Sequence, residues 1–280
     1  MKTNHLILLL LTLLLSLQLA PVRSAAQGWL ELPGGDARGT MVTIPLSDGP
    51  GRSFTCLYDS ELRISRWVAY PLNAGLIGEG SRGDGWHPAA GLPESAQPSL
   101  YKGFAYGSGY DRGHQIPSAD RLRSADNDNT FIFINATPQL HDFNGGIWAE
   151  LEKVTRTWAK RSDTLYVVTG AVPGPDTIRD NAGNSVTIPS AYYKAVLRRS
   201  TDRQGRTRWS ACAVLLPHRE TYKGTWQENL ALFRKHSLSI DELEKVTGID
   251  FFPNASGVIG MEAAESLEAT APADEPWWWK

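Results

Sequence analysis

Apolar positions first gather in two short runs, Ser53–Tyr58 (SFTCLY) and Arg66–Leu72 (RWVAYPL). Both carry the β-branched and aromatic enrichment of strands, and their separation fits a hairpin. Periodicity is then lost through the glycine-rich stretch 74–109, a long connection of the kind that often carries function. Thr130–Ile134 (TFIFI) reads as a buried strand. From Gly146 to Arg161 the apolar positions Ile147, Leu151, Val154 and Trp158 recur at helical spacing, which predicts a helix with one buried stripe. Three more strand-like runs follow at 164–169 (TLYVVT), 191–198 (AYYKAVLR) and 208–215 (RWSACAVL). Ser239-Ile240-Asp241-Glu242 fits a capping box, and Gly248 a helix stop. The pattern predicts an α+β fold with a central antiparallel or mixed sheet and no internal repeat.

The ends of the chain differ from its middle. Met1-Lys2 precedes an apolar run over residues 6–16, and Ser24-Ala25-Ala26 offers small residues for cleavage. That run is shorter than the roughly 20 residues a spanning helix needs, so residues 1–26 are expected to be a signal peptide and the protein to be exported, periplasmic or extracellular. Residues 27–50 form a Gly- and Pro-rich lead-in with a short apolar run around Met41–Ile44, residues 51–255 one domain, and residues 256–280 an acid- and alanine-rich tail expected to be disordered despite Trp277, Trp278 and Trp279.

Export also bears on the two cysteines. Cys56 and Cys212 both lie in strand-like runs, and an oxidising compartment would let a disulfide between them persist; two separately buried thiols are the alternative. The bridge is the expectation carried forward. Charge is nearly balanced, with 28 Lys and Arg against 30 Asp and Glu, so nothing resembles the basic footprint of a tight nucleic-acid binder. Any such substrate would be held by a local patch, for which Arg112, Arg121, Arg123 and Arg156 are candidates.

The chemistry concentrates in residues 110–121, YDRGHQIPSADR. Asp111-Arg112-Gly113-His114 sets a permanent cation whose rigid fork suits phosphate beside a group able to take a proton from water. Downstream, Asn135, Asn144, Glu152 and Arg156 surround the predicted strand and helix. Asn144, Trp148, Glu152 and Arg156 are each four apart, which on an ideal helix lines one slowly turning face.

The Asp-Arg-Gly-His signature, the Asn-x-x-Pro-Gln turn at 135–139 and Asn-x-x-x-Trp-x-x-x-Glu at 144–152 together resemble the DNA/RNA non-specific endonucleases, relatives of mitochondrial endonuclease G. The likeness runs from about Ser53 to Pro253. It implies a ββα-metal motif and a magnesium-dependent nuclease, with manganese able to substitute, acting on DNA and RNA. Carried over position by position, it implies His114 as general base, Asn144 as the direct protein ligand to the metal, Arg112 and Arg156 as phosphate contacts, Glu152 as the acid holding metal-bound water and Asn135 as a supporting polar residue counted with the catalytic set. Arg82 matches a further substrate-binding arginine. His141 has no matching role and reads as a surface residue. Two rival functions stand beside this one: a phosphodiesterase for smaller nucleotides or phosphate esters, and a non-catalytic nucleic-acid-binding module.

Overall fold

Seven strands form one sheet in the order β1-β2-β3-β6-β7-β8-β9, every neighbouring pair antiparallel. They are β1 (Thr40–Pro45), β2 (Arg52–Asp59), β3 (Ile64–Leu72), β6 (Thr164–Arg179), β7 (Ser185–Thr201), β8 (Thr207–Pro217) and β9 (Ser237–Leu238). A separate two-stranded ladder pairs β4 (Tyr110–His114) with β5 (Ala136–Leu140). The computed structural model describes residues 28–280 apart from 36–37, 106 and 220–223. The expected signal peptide lies outside the described residues.

The central strands are apolar on both sides. Along β7, Tyr192 and Val196 enter one buried cluster while Tyr193, Ala195 and Leu197 enter the other. The first cluster packs under the β4–β5 ladder and helix α1 (Ala149–Lys160). The second packs under helices α3 (Ile240–Thr247) and α4 (Met261–Ala269); helix α2 (Trp226–Lys235) lies on the first side with Phe233. Burial on both faces explains why these runs show little alternation in the sequence. The capping box Ser239/Glu242 is present, and Gly248 ends α3 in the left-handed conformation.

Four expectations need correction. Thr130–Ile134 is buried but not a strand: it forms two tight turns, Asn129–Phe131 and Phe133–Asn135, with a single bridge from Ile132 to His87, and the strand begins at Ala136. The lead-in 27–50 contributes strand β1, with Val42 opposite Cys56, and Gly34 pairs with Asp250. Cys56 and Cys212 are both free and buried, on β2 and β8. Strands β3, β6 and β7 lie between them, so at about 4.8 Å per strand they stand roughly 19 Å apart. A disulfide needs Cα atoms within about 7 Å, so none can form. Burial pushes the Cys56 thiol up to about 12, leaving it unreactive.

The fourth correction is the tail, which is ordered. After α4 the chain turns back, and Trp278 is fully buried with its ring 4.8 Å from that of Trp158 at 75°. Trp158 Nε1 donates to the Trp278 carbonyl at 2.9 Å, and the Arg198 guanidinium lies 3.6 Å over the Trp277 ring. Acidic, alanine-rich composition argues for disorder only where little apolar area can be buried, and three tryptophans supply that area. Trp278→Ala is therefore expected to cost about 3–5 kcal/mol of stability, as for other buried aromatic truncations. A melting transition within a degree of wild type would show that the tail does not hold the core.

Candidate functional site

The site is a strand–strand–helix unit. In the β4–β5 ladder Asp111 pairs with Gln139, Arg112 with Pro138, Gly113 with Thr137 and His114 with Ala136. Gly113 is needed for space: a Cβ there would sit 2.2 Å from the buried Gln139 side chain. After Leu140 the chain passes through a helical turn, His141–Phe143, then a five-residue π-turn, Asn144–Trp148, before α1 begins. Gly146 is non-helical within that turn (φ −104°, ψ −115°). The ideal face expected from Asn144 to Arg156 is therefore broken: Trp148 is fully buried in the core, and Asn144 is carried toward β4 instead.

His114 packs between two aromatic rings, one tilted and one perpendicular to it. Trp86 stands 4.7 Å and Phe131 4.9 Å away, centroid to centroid. Each of these rings also carries an arginine, Arg112 at 5.0 Å from Trp86 and Arg82 at 5.6 Å from Phe131. His114 Nε2 is buried and makes no hydrogen bond to the described residues. Burial, followed by repulsion from Arg82 and Arg112, pulls the His114 pKa down to about 3. The imidazole is thus neutral through the whole physiological range, and it does not titrate near neutrality as a free histidine would.

Asn144 is oriented by Asp111. Its amide nitrogen donates to Asp111 Oδ2 at 2.9 Å, and because only the amide NH₂ can face a carboxylate, Oδ1 is the atom left to meet a ligand. His141, exposed, also meets the Asp111 carboxylate at 3.0 Å, so Asp111 links two residues that the sequence had kept apart from it. Among the described residues no three His, Cys, Asp or Glu side chains converge as a metal cage. The donors present are oxygens of an amide and carboxylates, which suit a hard cation that keeps most of its own water.

A cleft of about 500 Å³ opens over these groups, lined by Arg82, Trp86, Lys102, Arg112, His141 and Asn144 among others. Arg112 spends one guanidinium nitrogen on the carbonyls of Leu100 and Tyr101, 2.9 and 3.2 Å away, which sets its fork at the cleft wall. Glu152 and Arg156 do not pair with each other. Arg156 Nη1 binds Asp120 Oδ1 at 3.0 Å, and Asp120 Oδ2 accepts from Tyr70 at 3.1 Å. Burial pushes the Glu152 carboxyl up to about 7, against the pull of Lys194, Arg156 and Arg82.

Asn135 is not a catalytic residue. Fully buried, it accepts from the Ile116 amide at 3.0 Å and donates to the carbonyls of Ile116 and Thr130 at 3.0 and 2.8 Å. Those three bonds brace the chain just beyond His114, a positioning role. Arg121, proposed for the substrate patch, is equally buried and binds Ser53, Pro71 and Asp120 backbone or hydroxyl oxygens. Arg123 meets Asp48 and Asp126. Of the four arginines only Arg112 and Arg156 belong to the site. Asp120, Trp86 and Lys194 were not singled out from the sequence; the one signal for Lys194 is a lysine amid the apolar residues of AYYKAVLR.

The family model for DNA/RNA non-specific endonuclease matches residues 43–257. A nuclease of Nostoc sp. is 34% identical over 207 residues, covering 71% of this chain and 70% of its own length. A nuclease of Serratia marcescens is 30% identical over 201 residues, 70% of this chain and 71% of its own. A crystal structure of an EndoG/EndoGI complex superposes with a TM-score of 0.59 at 20% identity, covering 82% of this chain and 89% of that one, a likeness of fold.

The buried histidine sets a test of the site's electrostatics. In imidazole NMR, His114 is expected to stay neutral down to about pH 4, given its pKa near 3. Because the unfolded chain binds that proton near pH 6.5, this group lowers stability progressively as pH falls from about 6.5 toward 3. Observation of a His114 imidazolium at pH 6 would refute the burial argument.

Proposed function

The chain belongs to the DNA/RNA non-specific endonuclease family and is a nuclease, and from that premise we propose that it is an exported enzyme that hydrolyses DNA and RNA with magnesium. The observation that carries the reading is the buried, neutral His114, packed against Trp86 and Phe131 and influenced by Arg82 and Arg112, next to a cleft that Arg82, Trp86, Arg112 and Asn144 line.

In this mechanism Arg112 and Arg82 bind the phosphodiester from the cleft wall, with Arg156 beside Glu152 as a further phosphate contact. His114, kept neutral by burial and with Nε2 unpartnered, accepts the proton of the attacking water. Asn144 Oδ1 would hold magnesium, or manganese in its place, with Glu152 anchoring water around it; a cation there supplies charge neutralisation for the phosphate and the leaving oxygen. Asp111 keeps the Asn144 amide turned the right way. Since water is the nucleophile, the 2′-hydroxyl is not required, and DNA and RNA are both substrates. With His114 already neutral, the acid limb of the rate falls to Glu152, whose carboxylate must be ionised to accept from water; activity rises as pH climbs through that group's titration.

Purified enzyme is expected to cut plasmid DNA and an RNA transcript at comparable rates with magnesium and neither in excess chelator. Cleavage of RNA alone, or undiminished activity with chelator, would sink the mechanism. Turnover of bis(p-nitrophenyl) phosphate without plasmid cleavage would favour the narrower phosphodiesterase.

His114→Ala should lower turnover by about two to four orders of magnitude, the usual range for lost acid–base chemistry, with the melting temperature little changed. Asn144→Ala should raise the magnesium concentration needed for half-maximal rate. A His114→Ala enzyme of near-normal turnover means that the base lies elsewhere.

A further inference from the structure

His141 is exposed yet fixed. Its side chain is 76% accessible, at the first residue of the helical turn after β5. Its backbone amide donates to the Gly109 carbonyl at 2.9 Å, and Nδ1 meets the two oxygens of the Asp111 carboxylate at 3.2 and 3.0 Å. A carboxylate can only accept, so Nδ1 carries the hydrogen of that contact. The other ring nitrogen, Nε2, makes no hydrogen bond to the described residues. An exposed ion pair returns at most about 1 kcal/mol, so stability alone does not account for the anchoring of this ring.

The position joins two hollows. His141 lines the cleft of about 500 Å³ together with Arg112 and Asn144, and it also lines a neighbouring depression of about 340 Å³ with Gly145, Gly146 and Asn229. Among the described residues it alone lines both. A strand whose scissile phosphate sits at Arg112 therefore passes His141 on its way to the depression. The depression itself is unsuited to phosphate, because Asp142 and Glu150 line it. The charged groups around the ring are Asp111 from β4, Asp142 on its own turn, Glu150 from α1 across the depression, and Arg82, Lys102 and Arg112 across the cleft. Asp111 first, and Asp142 after it, raise the His141 pKa above that of a free histidine. A protonated ring donates from both nitrogens, which leaves Nε2 as a charged donor for an anion.

We propose that His141 is a substrate-binding residue of the nuclease: with Nδ1 anchored on Asp111, its Nε2 binds the phosphate next to the scissile one, where the strand passes from the cleft to the depression. The inference rests on the nuclease reading given above and extends it from the reacting phosphate to its neighbour. Arg112 and Arg82 serve the first phosphate and His141 the second. His141 therefore matters for a substrate that carries more than one phosphate.

His141→Ala is expected to raise KM for a DNA dodecamer by about three- to tenfold at about pH 6, the loss of one exposed charge-assisted contact, with most of the loss in KM rather than kcat. Direct binding by fluorescence anisotropy, with chelator present to stop cleavage, should weaken by the same factor. The slope of log Kd against log salt should fall by roughly 0.7–0.9 for the one lost phosphate contact. Bis(p-nitrophenyl) phosphate, which has a single phosphate, should show no such rise in KM. The advantage of wild type over His141→Ala should disappear as pH rises from about 6 to about 9 and the ring loses its proton, whereas His141→Lys, which keeps its cation, should hold that advantage throughout. Equal dodecamer affinity for His141→Ala and wild type at about pH 6 overturns the proposal. So does an equal fall in rate on both substrates, which would place the effect at Asp111 and Asn144 instead. If the wild-type protein cuts no nucleic acid the reading of the whole site falls, whereas if it cuts and His141→Ala matches it, only the role of His141 falls.

Discussion

The pairing of β4 with β5 is the contact on which the rest of the site depends. It brings residues 110–114 against 136–140 across a long excursion and points the chain directly into the turn that becomes α1. The ladder works because Gly113 leaves room for Gln139, and because Asn135 uses its amide to tie Ile116 to Thr130 at the ladder's end. A backbone amide or carbonyl left unpaired there would carry the full cost of desolvation, about 1–3 kcal/mol, so the clamp is structural before it is anything else.

Burial then sets the protonation states. Trp86 and Phe131 pack against His114, each with an arginine over its own ring, and burial together with the charge of Arg82 and Arg112 disfavours the imidazolium, so His114 is held neutral. Burial acts in the opposite direction on Glu152, where it favours the neutral acid and must be opposed by nearby cations. Two titratable groups are therefore shifted in opposite directions by the same low-polarity surroundings, each toward its neutral form. Asp120 has a complementary task, since it engages Arg156 and receives the Tyr70 hydroxyl, keeping the helix at a set distance from the sheet.

The sheet and the tail supply the rigidity that such positioning needs. Strands apolar on both faces form a platform, and Trp278 closes the far end of α1 by packing on Trp158 and accepting from its indole nitrogen. The helix that carries Glu152 and Arg156 is thereby held at both ends, by the π-turn joined to the ladder and by the returning chain.

By itself the sequence determined the local elements whose signals are local: the hairpin β2–β3, the long strands, the capping box of α3 and the order of the blocks around His114, Asn144 and Glu152. Spacing and side-chain chemistry are short-range properties, and they survive without knowledge of what lies opposite. What lies opposite was decided only by tertiary structure. Three strands separate Cys56 from Cys212, Asn135 turns inward to brace backbone, Arg121 is sealed in the core, and Trp278 finds Trp158 at a distance no pattern encodes. The neutrality of His114 and the elevation of the Glu152 pKa belong to the same class, because burial is the sum of contributions from every element packed around a group and no single stretch of chain contains it.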